Sequence, residues 1–274
     1  MFKIANKYNN KILKIEKKLA SYKFKNILFR LRLFFIRKNT NSSRVFIYSP
    51  GKTGTSSVHT TLSNFYFKKF DKEIRRDSRV KVEKNVLKSH QIFPPLANET
   101  EKYKNIYFVQ FREPISRTLS DLNENSLDKI FDENNELIIK NFNNEFSKSL
   151  NSYFNWWNKF FIDFKINDYF SSIQKHGFAI INLDKKNIMV FQLTEDLNNT
   201  FSRIVNKIFD TKLNYNILSS ERITKSFLLK NEIEKVKKQK FDISFLKEVY
   251  KNKYVNQLYS DDQLNIFIDK FTNK

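Results

Sequence analysis

Ser49-Pro50-Gly51-Lys52-Thr53-Gly54-Thr55-Ser56-Ser57 is the stretch on which the reading of this chain turns. It closes a short apolar run, RVFIYS at 44–49, that reads as a buried strand. Residues 50–55 read as a turn, and 56–70 as the helix that follows. Glycine is scarce, with 3 in the chain, and two of them, Gly51 and Gly54, stand in this loop. Glycine lets a backbone turn tightly and approach a ligand closely. The first N–H groups of a helix have no partner within the helix, and with the helix dipole they form a seat for an anion. Lys52 adds a point charge, and Thr53, Thr55, Ser56 and Ser57 add hydroxyl donors. Residues 51–57 are therefore the candidate phosphate site.

Working outward, 85–88 is a second short strand candidate and NIYFVQF at Asn105–Phe111 is the clearest one. Pro114 suits a first helical turn, and the helix it opens is expected to run to about residue 127. Residues 132–170 are aromatic and polar without strong punctuation. The stretches 177–183 and 188–193 read as strands joined by a polar turn at 184–187, and the chain from Thr194 onward as mostly helical. Strands alternating with helices predict an α/β fold, a parallel β-sheet flanked by helices with a helical C-terminal half.

The chain of 274 residues, 40% of them hydrophobic, is long enough to bury a sizeable core. The net charge is +21, yet residues 1–44 alone hold 13 Lys and Arg against one acid, Glu16. A division follows: a basic helical segment over 1–40 and an α/β domain over 41–274. Residues 8–38 lack Pro and Gly, and FKNILFRLRLFFIR at 24–37 mixes bulky apolar side chains with basic ones. Such a segment can lie on an anionic membrane surface, or pack on the domain with its basic ends reaching water. No run is apolar and long enough to span a bilayer, and no secretory signal pattern opens the chain, so the expected location is cytoplasmic, with peripheral attachment to a membrane as the alternative. Cysteine is absent, which excludes disulfides and thiolate metal sites, and 3 scattered His do not suggest a zinc site. No nucleic-acid motif accompanies the charge, so no nucleic-acid partner is expected.

A second constellation is FREPISRTLS at 111–120. Arg112 stands at the carboxyl end of the third strand, where open α/β sheets bind their ligands. Ser120 lies about two turns into the next helix. Arg112 and Ser120 can grip one phosphate from two sides, the Arg through its planar fork. A third is VLKSHQIFP at 86–94, where a strand leads through Lys88 and His90 into a Pro turn. Nucleoside triphosphatase loops follow G-x-x-x-x-G-K-[ST]. Here Gly51-Lys52-Thr53 matches the end of that pattern, but Phe46 occupies the first glycine position.

Together these motifs resemble sulfotransferases that use 3′-phosphoadenosine 5′-phosphosulfate (PAPS). Lys52-Thr53-Gly54-Thr55-Ser56 is similar to their 5′-phosphosulfate loop, with one glycine inserted after Pro50. Residues 112–120 are similar to the 3′-phosphate motif R-x-P-x-x-R-x-x-S, and Lys88-Ser89-His90 to the K-[ST]-H segment that carries the catalytic base. The resemblance implies a P-loop-like sulfotransferase fold and transfer of a sulfuryl group from PAPS to a carbohydrate hydroxyl. It also implies release of 3′,5′-adenosine bisphosphate and no metal requirement. His90 would take the hydroxyl proton, His59 being the rival, and Lys52 and Lys88 would meet the negative charge. QLTEDL at 192–197 and the stretches at 219–222 and 259–262 extend the likeness. Residues 156–159 bring a looser one to bacterial capsular polysaccharide synthesis proteins. The Arg-Lys-Gly loop of cytosolic sulfotransferases is missing, and Arg222 is a substitute candidate. Tyr153, Phe154, Trp156 and Trp157 either stack on a sugar or fill the core, the second being favoured. The competing functions are a magnesium-dependent P-loop kinase and a non-catalytic relative that binds membranes or polyanions.

Overall fold

The computed structural model describes residues 44–70, 86–89, 105–164, 166, 170–185, 187–210 and 230–272. The basic segment at 1–40, His90 and Arg222 lie outside the described residues. Five strands form one sheet: β1 (Arg44–Tyr48), β2 (Val86–Ser89), β3 (Asn105–Phe111), β4 (Phe178–Asn182) and β5 (Asn187–Leu193), in the order β2-β1-β3-β5-β4. The helices are α1 (Thr55–Phe70), α2 (Pro114–Asn125), α3 (Leu127–Ile130), α4 (Ile139–Phe164) and α5 (Phe170–His176). They are followed by α6 (Leu197–Phe209), α7 (Lys230–Lys237), α8 (Ile243–Tyr250), α9 (Lys253–Leu258) and α10 (Asp261–Phe271).

Side-chain alternation along the strands sorts the core into two layers. Val45, Ile47, Ile106, Phe108 and Val190 face one side, where Val58 and Leu62 of α1 and Phe201, Ile204 and Val205 of α6 cover them. Phe46, Tyr48, Tyr107, Val109, Phe111, Phe191 and Leu193 face the other, against α2, α4 and the C-terminal helices. All seven residues of β3 are buried, as befits the central strand of a sheet covered on both faces. The second layer is unusually aromatic. Phe111 stacks on Trp157 at 3.8 Å between ring centres, and Phe161 on Tyr254 at 4.8 Å.

Two features differ from the expectation. β4 runs antiparallel to β5 rather than parallel, in the register Phe178↔Gln192 to Asn182↔Ile188. The short turn after β4 leaves no length for the crossover that parallel strands require. The unassigned region contains the 26-residue helix α4, whose buried face runs Phe142, Phe146, Leu150, Tyr153, Trp157 and Phe160. Tyr153 and Trp157 are core residues, 3% and 1% exposed, so neither presents a face to a sugar.

The chain leaves β1 for β2 on one side and returns across it to β3 on the other, with all three strands parallel. The crevice at the carboxyl ends of β1 and β3 is thus the topological switch point, where open α/β sheets bind ligands.

Candidate active site

The loop after β1 and the first turn after β3 meet at this switch point. Backbone conformation makes the loop what it is: Gly51, Lys52 and Gly54 all have positive φ, at 87°, 62° and 72°. Glycine takes that region at no steric cost, whereas Lys52 holds it against the usual preference and needs support from its surroundings. The support is visible in the carbonyls. Arg117 Nη2 donates to Pro50 O at 3.1 Å and Nε to Gly51 O at 3.3 Å. Arg112 Nη1 donates to Lys52 O at 2.8 Å, and Thr194 Oγ1 to Thr53 O at 2.9 Å. Four consecutive carbonyls are therefore drawn towards side chains behind the loop. No peptide among them is cis, and a trans peptide sets N–H opposite C=O. The N–H groups of residues 52–54 consequently point away from the anchors, a concave array of the kind that binds anions, while the Gly51 N–H donates to Ser49 Oγ at 3.3 Å.

Beneath the loop, Ser49 Oγ lies 2.5 Å from Thr55 Oγ1, which is 3.1 Å from Thr53 Oγ1. All three residues are buried, so Thr53 and Thr55 tie the loop to β1. α1 begins at Thr55, and Ser57 and Val58 donate their N–H groups to Gly54 O at 3.0 and 3.2 Å. Ser56 is half-buried in the first turn. Lys52 forms an ion pair with Glu124 near the end of α2. Arg117, Ser120, Asp121 and Glu124, spaced three and four apart, share the α2 face that turns to the loop. The structure thus brings Ser120 and Arg112 to the same crevice as residues 51–57. β2 ends at Ser89, paired with Tyr48, so Lys88 sits in the strand beside the loop strand and at the same end of the sheet. His59 is a buried residue of α1, 4% exposed.

A second tier lies under Arg112, built from residues to which the sequence reading gave no such role. Glu113, 1% exposed, accepts from Ile115 N at 2.7 Å and Ser116 N at 2.6 Å, capping α2. It also accepts from the Tyr250 hydroxyl at 2.8 Å. Glu195 accepts from Glu113 N at 2.9 Å and from the Tyr259 hydroxyl at 3.1 Å. Burial pushes the Glu195 carboxyl above the usual carboxylate range, and the nearby Glu113 pushes the same way. Burial and these carboxylates raise Tyr250 and Tyr259 as well, so both remain hydroxyl donors. The Tyr153 hydroxyl donates to Arg112 O at 2.5 Å, and burial raises its pKa too. Residues from α4, α8 and the end of α9 thereby fix the backbone from which Arg112 projects.

Among the described residues no group of three or more His, Asp or Glu is placed to hold a metal ion. Nor, among them, is any helix long and apolar enough to cross a membrane. No protein-family model matches the chain, and the search of curated proteins gave no match.

Proposed function

We propose that the chain is a sulfotransferase, moving a sulfuryl group from PAPS to a carbohydrate hydroxyl. One observation carries the reading. The loop at 49–57 holds four successive carbonyls behind it and lies at the switch point beside Arg112. Its donors suit a ligand with two separated phosphate-type groups: backbone N–H groups, the Lys52 ammonium, hydroxyls and a half-buried guanidinium. Residues 51–57 would hold the 5′-phosphosulfate end, and Arg112 with Ser120 the 3′-phosphate. Lys52 would leave Glu124 to meet the charge left on the bridging oxygen as the S–O bond breaks. His90, one residue beyond the end of β2, would accept the proton of the attacking hydroxyl. Lys88 would add positive charge from the same strand.

The test is calorimetric titration of the full chain with 3′,5′-adenosine bisphosphate, without magnesium, beside ATP and adenosine 5′-phosphosulfate. Binding that needs the 3′-phosphate is expected. H90A should keep that binding and lose turnover, and R112A should weaken binding about ten-fold or more, the cost of a charged hydrogen bond. Binding of ATP alone, and only with magnesium, would overturn the proposal in favour of a kinase.

A further inference from the structure

We propose that Arg117 is the residue that sets the loop for anion binding: a buried positioning residue whose guanidinium orients the loop N–H groups and places a fixed positive charge behind them. The inference rests on the reading of residues 51–57 as a phosphate site.

The geometry of Arg117 is singular among the side chains around the loop. It is 4% exposed, on the second turn of α2, and each nitrogen of its guanidinium has a partner. Nε and Nη2 reach Gly51 O and Pro50 O. Nη1 donates to Ser149 Oγ at 2.7 Å and Ser149 O at 3.2 Å on α4. The guanidinium lies over the Tyr153 ring at 5.4 Å. A planar fork held at three corners cannot turn without breaking several bonds. It therefore dictates the orientation of two adjacent peptides, 50–51 and 51–52. The Lys52 N–H of the second is thereby set opposite Gly51 O and towards the crevice, while the Gly51 N–H of the first donates to Ser49 Oγ at 3.3 Å, so that this peptide is held at both ends. Arg112 and Thr194 orient the next two peptides through single bonds each.

Charge is the second part of the argument. The carboxylate near Arg117 is Asp121, with 3.5 Å between Nη1 and Oδ2, and Asp121 also accepts from Ser149 Oγ at 2.6 Å. The remaining acceptors are neutral carbonyls and a hydroxyl. Burial draws the Arg117 pKa below its ordinary value, Asp121 opposing it, yet a guanidinium keeps its proton in proteins. A partly compensated cation in a low-dielectric setting thus stands one peptide layer behind the loop. Its field acts on whatever occupies the loop, and it favours anions of higher charge.

The glycine content supplies a clean readout. A chain labelled with 15N-glycine gives three backbone signals, Gly51, Gly54 and Gly177. The Gly51 N–H belongs to a peptide whose carbonyl Arg117 holds, the Gly54 N–H to the one held by Thr194, and Gly177 lies apart from the loop, between α5 and β4. The experiment titrates wild type, R117K and R117M with 3′,5′-adenosine bisphosphate and with pyrophosphate.

In wild type both loop signals should shift and Gly177 should stay. R117K keeps a cation but cannot hold two carbonyls and α4 together, so affinity should fall about ten-fold. R117M removes the charge as well, and about 100-fold is expected. In both variants the free Gly51 signal should move more than Gly54, and its ligand-induced shift should shrink. The unchanged Gly177 signal reports a folded chain, and R117K keeps the test valid if R117M does not fold. Folded variants that bind as tightly as wild type, with the same Gly51 shift, would overturn the role of Arg117. Failure of both loop signals to respond in wild type would instead overturn the phosphate reading itself.

Discussion

Thr194→Val isolates one tether of the loop with almost no change of shape. Thr194 follows β5, and its N–H already donates to Phe111 O at 2.7 Å. The Thr194 hydroxyl lies 2.7 Å from that same oxygen and 2.9 Å from Thr53 O. A hydroxyl has one proton, and Phe111 O is already served, so the proton belongs to Thr53 O. Thr53 is wholly buried, so valine leaves its carbonyl without a donor and without water. An unsatisfied buried acceptor costs about 1–3 kcal/mol. At about 2–4 °C per kcal/mol for a chain of this size, a loss of about 2 kcal/mol lowers Tm by about 4–8 °C. The loop also loses part of its preorganisation. If about half of the loss reappears as the cost of reordering it on binding, Kd for 3′,5′-adenosine bisphosphate rises roughly five-fold. Differential scanning fluorimetry and calorimetric titration read the two effects. Thr194→Ser keeps the hydroxyl and should keep the affinity. A valine variant with wild-type Tm and Kd would refute the claim that the carbonyl tethers position the loop.

Two glycines should respond in opposite ways. A Cβ on Gly177 would meet Asp196 Oδ2 at 2.6 Å and Asp196 Cβ at 2.8 Å, at a φ of +73°. Gly177→Ala should therefore destabilise the fold by about 2–5 kcal/mol, conformational cost and overpacking together, and urea unfolding at near wild-type stability would contradict the packing described. A Cβ on Gly54 meets Leu197 Cδ2 and Thr194 Cγ2 at 3.4 Å, so Gly54→Ala should cost only the conformational term of about 1–2 kcal/mol while weakening phosphate binding, measured by the same titration. Glu195 binds its proton more tightly folded than unfolded because of its burial. The stability it contributes is full below the ordinary carboxylate pKa and is lost as pH rises through the raised folded value. Glu195→Gln should flatten that fall, so the Tm of wild type relative to the variant should drop with rising pH across the acidic range. A constant difference would mean that Glu195 ionises normally.

What the sequence disclosed and what it hid divide along a physical line. β3 was readable because a strand buried along its whole length carries the apolar run Ile106–Val109, and the loop because two scarce glycines fall between a strand and a helix. Both signals are local. The clamps are not. Arg117 reaches carbonyls 66 and 67 residues earlier in the chain and a serine 32 residues later. In sequence it is one more cation on a helix, marked only by its place in R-x-P-x-x-R-x-x-S. Glu113 and Glu195 stand inside quoted motifs, at 111–120 and 192–197, but their contact follows only from the pairing of β3 with β5. The helix α4 could have been found: its apolar positions Phe142, Phe146, Leu150, Tyr153, Trp157, Phe160 and Phe164 recur three and four apart. Asn and Ser, which favour turns over helix interiors, masked that period.

Which of the two helices at the switch point can receive an anion follows from the residue that precedes each. α2 starts with Pro114, which has no N–H, and the next two N–H groups go to the Glu113 carboxylate at 2.7 and 2.6 Å. Its terminus is closed by the protein's own negative charge, and an arriving phosphate would meet repulsion there. α1 is preceded by Gly54, which has no side chain to compete for the first turn, and no acid lies in that turn. On the proposed reading, the dipole of α1 would serve the ligand and that of α2 the scaffold. The asymmetry also gives a carboxylate a place beside the proposed anion site. The Glu113 carboxylate accepts from two helix N–H groups and the Tyr250 hydroxyl, so it is spent inside the scaffold, where it fixes the position of its neighbour Arg112.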